Sequence, residues 1–381
     1  MKILITTDLF TTKTNGVVTS VMNLRDELMA KGHEVRILTL SDNMKSRREG
    51  DVYYIRSVPC RVYPNVRVPT SFRHKLIYEL IEWSPDVIHS QCEFFSFQYA
   101  LRISKHTGAP IVHTYHTLYE QYVAYLIPGK RLGNTVVRMF SRRWLKKVDR
   151  VIAPTHKVED ALHGYGVNKI IDVVPSGIAL AQHQKRITEE ERAAKREALG
   201  ISSDKNVLVN LGRLGTEKNI GELIELFARA AENNDSLMFL IVGDGPAREE
   251  LEHKAKELGV EDKVIFTGMV DPASVQEYYQ LGDLFVSAST SETQGLTYVE
   301  AAANGLPLLC RKDRCLDDVI IEGENGYEYT SAEEFLEEIA NIAADPEWRR
   351  IAGKKSEEIA AAFDKSSFGE AVEKVYESVL K

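Results

Sequence analysis

Short β-rich apolar runs alternate with helical stretches along this chain, and they do so in two separate series. In the first, Lys2 to Thr7 leads into a polar loop from Asp8 to Gly16, an amphipathic helix pattern from Val17 to Lys31 and a second strand from Val35 to Leu40. A strand, a helix and a strand in that order need a crossover, which gives parallel pairing. Further strands are expected at Val52 to Ile55, Asp86 to His89, Pro110 to Tyr115 and Arg150 to Ala153, with helices such as His74 to Trp83 and Phe97 to His106 among them. Pro175-Ser176-Gly177 and the charged, helix-forming stretch from Gln182 to Gly200 interrupt the pattern. It resumes with strands at Asn206 to Leu211, Leu237 to Val242, Val264 to Phe266, Leu284 to Val286 and Leu306 to Cys310. Helices are expected at Ile220 to Ala231, Ala247 to Leu258 and Ser274 to Leu281. The chain is therefore read as α/β in two similar halves, and 381 residues are enough for each half to have its own core.

Open parallel sheets bind ligands just beyond the carboxyl ends of their strands, so chemistry is expected in the loops that follow those strands. After Leu284-Phe285-Val286 comes a small, polar loop from Ser287 to Gly295, then helical composition from Leu296 to Ala303. Glu292 stands on that loop and Glu300 about two turns further along. A carboxylate accepts two hydroxyls at once, which suits a sugar or a ribose. The amides of Gly295 and Leu296 at the helix start suit a phosphate. After Asn206 to Leu211, the segment Gly212-Arg213-Leu214-Gly215-Thr216-Glu217-Lys218-Asn219 sets two cations, Arg213 and Lys218, beside a glycine-containing turn suited to negative charge. It lacks the spacing of a P-loop.

In the first half, Gly16 of Thr14-Asn15-Gly16-Val17 allows backbone to come close to a ligand at a helix start. The sequence has no Gly-x-Gly-x-x-Gly there, so an NAD fingerprint is not supported. His89 and His116 both follow expected strands. Alternation in Ile111 to Thr117 puts His113 with the ring of Tyr115 as a packed, hydrogen-bonded histidine, while His116 falls where strand gives way to loop and is the better functional candidate.

A net charge of −8 argues against general nucleic-acid binding. Residues 130–150 break that balance, with eight Lys and Arg against Asp149 alone, 8 − 1 = +7. Val136, Phe140 and Trp144 recur there at helical spacing. A basic helix carrying aromatic residues has the pattern of an interfacial membrane segment, with Arg138, Arg142, Arg143, Trp144, Lys146 and Lys147 as its contacts. The alternative is a helix packed on its own domain with solvated charges. No apolar run approaches the length of a membrane span, the start has no secretory zones, and Cys60, Cys92, Cys310 and Cys315 lack metal-ligand spacing with histidines, which fits a reducing cytosol.

Taken together, Gly212-Arg213 with Lys218, Glu292 and Glu300 with seven residues between, Val173-Val174-Pro175-Ser176-Gly177-Ile178 and Asn15-Gly16-Val17-Val18 resemble the glycosyltransferases of the GT-B fold, in the large retaining family numbered four. Within that family, His113 to Glu120 and Ser291 to Thr297 look most like the diacylglycerol glucosyltransferases. The resemblance implies two Rossmann-like domains with parallel sheets facing across a cleft: an acceptor-binding domain over 1–176, a nucleotide-sugar domain over 177–365, and a last helix, 366–381, crossing back.

It also implies roles for individual residues. Arg213 and Lys218 hold the diphosphate of UDP-glucose, Glu300 the ribose hydroxyls and Glu292 those of the glucose, while Gly16, Gly295 and Leu296 approach phosphates and sugar through their backbone. His116 matches the active-site histidine. Glu292 is followed by Thr293-Gln294-Gly295 where many members have Glu-Gly-Phe or Glu-Pro-Phe, so its hydroxyl partners are left open. Neither a cofactor nor an essential metal is expected. The implied acceptor is diacylglycerol at the cytoplasmic face of the membrane, with anionic lipid as a partner of a peripheral enzyme. A different donor sugar, a water-soluble acceptor and, remotely, a non-enzymatic membrane adaptor are the alternatives. Tyr119, Glu120, Tyr122 and Tyr125 are acceptor candidates, and oligomeric state is not indicated.

Overall fold

The structure, a computed structural model, describes residues 1–10, 15–60, 67–120 and 130–380, and the side chains of all of these except 130–132. Tyr122 and Tyr125, Thr14, and the side chains of Lys130 and Arg131 lie outside the described residues. Two compact units form: Met1–Gly177 together with Lys365–Lys381, and Ile178–Asp364.

Among the described residues, the first unit has an eight-stranded sheet in the order Ile171–Val173, Arg150–Ala153, Ile111–Thr114, Val87–Ser90, Lys2–Thr6, Glu34–Leu40, Val52–Ile55, Arg47–Glu49. All pairs are parallel except the last, an antiparallel hairpin at the edge. The central strands are buried on both faces, which explains why they read as continuous apolar runs. One face packs on the helices Lys75–Trp83 and Phe95–Thr107 through Leu76, Leu80, Phe97 and Ile103. The other packs on Gly16–Ala30 and on the last helix, Lys365–Leu380, through Val21, Leu24, Phe368, Val372 and Tyr376. The helices that follow Lys2–Thr6 and Val87–Ser90 thus lie on opposite faces, and the gap between these neighbouring strands is where the strand order reverses.

The second unit repeats the plan with six parallel strands in the order Val264–Phe266, Leu237–Val242, Asn206–Leu211, Leu284–Ser287, Leu308–Arg311, Gly326–Tyr329. The helix Ile220–Ala231 covers one face through Leu223, Ile224 and Phe227, and Leu296–Ala303 the other through Tyr298 and Val299. The order reverses between Asn206–Leu211 and Leu284–Ser287. Most helix and strand bounds fall within a few residues of the sequence expectation. The edge strand Arg47–Glu49 and the small antiparallel pair Ser57–Pro59 with Arg67–Pro69 had no such expectation, because strands of three residues give too little periodicity to read.

Candidate active site

The reversal point of the second sheet brings the cationic loop and the double-glutamate loop side by side. Lys218, at the end of a short 3₁₀ turn, makes an ion pair with Oε1 of Glu292, which also accepts from Ser289 Oγ at 3.1 Å. Arg213, about half exposed, pairs with Glu217, whose backbone carbonyl accepts from Ser291 Oγ at 3.1 Å. Each cation is therefore already held by a carboxylate, and the two loops are tied to each other.

Glycine makes this packing possible at two points. Gly295 has φ +73°, and a Cβ there would lie 2.3 Å from the Tyr298 ring. The left-handed turn aims the amide at the start of the helix Leu296–Ala303 into the loop. Gly243, with φ +131°, lets the loop after Leu237–Val242 lie on the Gly212 carbonyl, where a Cβ would come within 1.9 Å of the oxygen.

Glu300, the fifth residue of the helix Leu296–Ala303, is half-buried and accepts from the Tyr279 hydroxyl at 2.8 Å. Burial pushes its carboxyl up to about 7, against the opposing pull of that hydroxyl. Tyr279 was not among the expected site residues. Only its place on an unremarkable helix, Val275–Gln280, could have signalled it.

In the first unit, Gly16 is the first residue of the helix Gly16–Ala30, capped by Asn15, whose Oδ1 accepts from the Val18 amide at 2.9 Å. Asp8, just past the first strand, accepts from the Ser96 amide at 2.6 Å and so caps the helix Phe95–Thr107, which has no cap of its own. His116 is half-buried and lies 2.6 Å, through Nε2, from Gln91 Oε1. Burial, with His113 nearby, pushes its imidazole down to about 3, so the ring is neutral.

His89 was expected to be open to function from its position after a strand. Instead it is fully buried, with Nδ1 2.7 Å from the Tyr376 hydroxyl and Nε2 2.7 Å from Thr114 Oγ1, because the last helix covers this end of the strand. His113 is also buried and faces Glu93. Gln91 and Glu93 escaped the sequence reading, although both are polar residues directly after a buried strand.

The basic segment forms the helix Lys130–Leu145. Arg138, Arg142, Arg143, Lys146 and Lys147 are exposed, and Arg138 stands 3.9 Å from Glu120. Trp144 departs from the expectation of a membrane contact. Its ring is half-buried against Phe97 at 5.1 Å and Phe140 at 4.8 Å, because the aromatic stripe packs on the domain core beside Val137 and Leu145. Met139, 66% exposed, is the apolar residue on the outer face. No helix among the described residues is long and apolar enough to cross a membrane.

Residues 14–182 match the family described as Glycosyltransferase Family 4, and residues 191–359 match Glycosyl transferases group 1. The chain is 34% identical over 99% of its length, and 85% of the relative's, to an alpha-monoglucosyldiacylglycerol synthase of Streptococcus pneumoniae. A protein of the same name from Acholeplasma laidlawii is 31% identical over 95% of this chain and 93% of its own. Among solved structures, HepE of Anabaena in complex with UDP superposes with a TM-score of 0.77 at 18% identity, covering 99% of this chain and 100% of that one. Sucrose-phosphate synthase of Thermosynechococcus elongatus gives 0.79 at 22% identity, covering 99% and 98%. Two α/β units with their reversal points built as described, matched along nearly their whole length, are those of the GT-B fold, and the chain is a glycosyltransferase belonging to family 4.

Proposed function

We propose that the enzyme transfers glucose, with retention, from UDP-glucose to the free hydroxyl of diacylglycerol at the cytoplasmic face of a membrane. The observation that carries the donor half is the pairing of Lys218 with Glu292 and of Arg213 with Glu217 at one reversal point. A diphosphate arriving there competes for both cations, and the sugar hydroxyls take up the Glu292 carboxylate that is released. Glu300 takes the ribose hydroxyls, and the amides of Gly295 and Leu296 approach the phosphates and the sugar. Two fixed cations balance the charge that builds on the leaving diphosphate, a role a divalent ion plays elsewhere, so this reading invokes no metal. The departing phosphate oxygen takes the acceptor's proton as the new bond forms on the same face, and no protein nucleophile is required. His116 lies at the acceptor side.

The acceptor half is supported by the names of the two bacterial relatives and by the exposed cations of Lys130–Leu145. Each is worth roughly 1 kcal/mol against an anionic leaflet, which gives reversible attachment without a buried aromatic anchor. A water-soluble acceptor is favoured by one observation, the inward packing of Trp144 and Phe140.

The deciding experiment is UDP release from UDP-glucose by the pure protein, with and without mixed micelles of diacylglycerol and anionic lipid. Release that depends on diacylglycerol is expected. Release only with soluble sugars would overturn the lipid acceptor and leave the donor assignment standing.

A further inference from the structure

The segment that carries His116 is gripped at three points by the loop after the neighbouring strand. His116 Nε2 lies 2.6 Å from Gln91 Oε1. Glu93 takes the residues on either side: His113 Nε2 is 3.4 Å from Oε1, and the Tyr119 hydroxyl donates to Oε2 at 2.5 Å. Gln91 is 2% exposed and Glu93 3%, so neither is placed there to solvate a surface.

A carboxamide oxygen can only accept, so the hydrogen of the His116 ring sits on Nε2 and the lone pair on Nδ1. Among the described residues, the groups near this ring include His113 on its own strand end and His89 on the adjacent strand, with Glu93 beyond His113 and Asp8 beyond Glu93. The Gln91 carboxamide in contact with Nε2 is neutral and does not itself favour an imidazolium.

We infer that Gln91 and Glu93 are positioning residues that hold His116 in one ring orientation and as the neutral Nε2–H tautomer. The inference rests on the reading of His116 as the active-site histidine. Its consequence is that His116 does not serve as a proton donor through Nδ1 and acts instead as a fixed dipole. Glu93 clamps both ends of the segment, which keeps the ring against Gln91.

Nitrogen-15 spectra of histidine-labelled protein, with the His116 signal identified by its loss in His116→Gln, read the tautomer directly. The native protein should show Nε2–H and no titration of this ring between about pH 5 and 8. Gln91→Glu sets a carboxylate against Nε2 and should bring the His116 titration into that window, with the same ionisation emerging in the pH profile of kcat. Gln91→Leu should mix the tautomers and lower kcat by about tenfold, the worth of one neutral hydrogen bond, with KM for the donor nearly unchanged. A native Nδ1–H tautomer, a native ring titrating near its ordinary value, or a Gln91→Glu variant whose His116 still does not titrate would each overturn the inference. The spectra need neither donor nor acceptor, so a wrong substrate assignment leaves this test intact.

Discussion

The two sheet reversal points solve the same problem with opposite chemistry. In the second unit the two loops are joined by the ion pair of Lys218 with Glu292, and Arg213 pairs with Glu217 within the first of them, all on partly exposed side chains. In the first, beside its reversal point, Val87–Ser90 and Ile111–Thr114 and the loops after them are joined by short contacts among buried and half-buried groups, His116 with Gln91, Tyr119 with Glu93 and His89 with Thr114. Charged partners can be exchanged for a charged ligand at modest cost because water and ligand screen them alike. A network of directional contacts shielded from water offers no such exchange, since breaking any member strands a polar group without a partner. The difference fits a second unit that receives a diphosphate and a first unit that fixes geometry.

The sharpest way to break this contrast is Lys218→Met. The loss of one preorganised cation at the leaving group should lower UDP release about 10²–10³-fold while the melting temperature hardly moves, and a variant that unfolds instead would mean the ion pair is structural. Next in size, replacing Arg142, Arg143, Lys146 and Lys147 by Ser removes roughly 4 kcal/mol of attraction to an anionic leaflet, so sedimentation with anionic vesicles should drop about a hundredfold or more. Unchanged sedimentation would reduce the helix to a packed element of its own unit.

Gly295→Ala tests the backbone of the charged loop. A φ of +73° together with a Cβ on the Tyr298 ring should lower stability by about 1–3 kcal/mol, visible as a reduced melting temperature.

The smallest expected effect concerns pH, where the two regions should respond with opposite sign. Glu300 has its folded value raised to about 7 from 4.5, so the native state holds the proton more tightly. Its contribution to stability is greatest below the unfolded value and is lost as pH rises through about 7. UDP affinity should rise a few-fold over the same interval as the carboxylate forms, and Glu300→Gln should flatten both curves in titration calorimetry and thermal melts. His116 and His89 have folded values depressed by burial. Their contribution is present above about 6.5 and fades as pH falls below it, because the unfolded chain takes up protons that the native state refuses. The protection of the first unit's central strands against hydrogen exchange, taken relative to the intrinsic rate at each pH, should therefore fall between pH 6.5 and 4 more than that of the second unit's.

The same contrast explains what could be read from the residues alone. The helices Ile220–Ala231 and Leu296–Ala303 were legible to the residue, because an apolar stripe follows a glycine-containing turn in each. Arg213, Lys218, Glu292 and Glu300 could be singled out because they stand on or beside glycine-containing turns after strands. That Lys218 and Glu292 would meet was not legible, since 74 residues separate them and only the strand order makes them neighbours. Gln91, Glu93 and Tyr279 were illegible for a different reason. Their function depends on a partner across the sheet, and a polar residue after a strand or a tyrosine on a helix carries no mark of that partner. His89 misled for the same reason. A helix from the far end of the chain covers it, and nothing near position 89 announces that cover.

That helix also imposes an order on biosynthesis. The first unit is left at Gly177 and re-entered at Lys365, so its last layer, with Phe368, Val372 and Tyr376, is translated only after all of the second unit. Until then the part of that face not under Gly16–Ala30, and the Nδ1 atom of His89, lack their cover. A nascent chain on the ribosome must therefore keep a half-finished domain in hand while it completes another. Chaperone dependence in this protein should concentrate on the early domain rather than the late one.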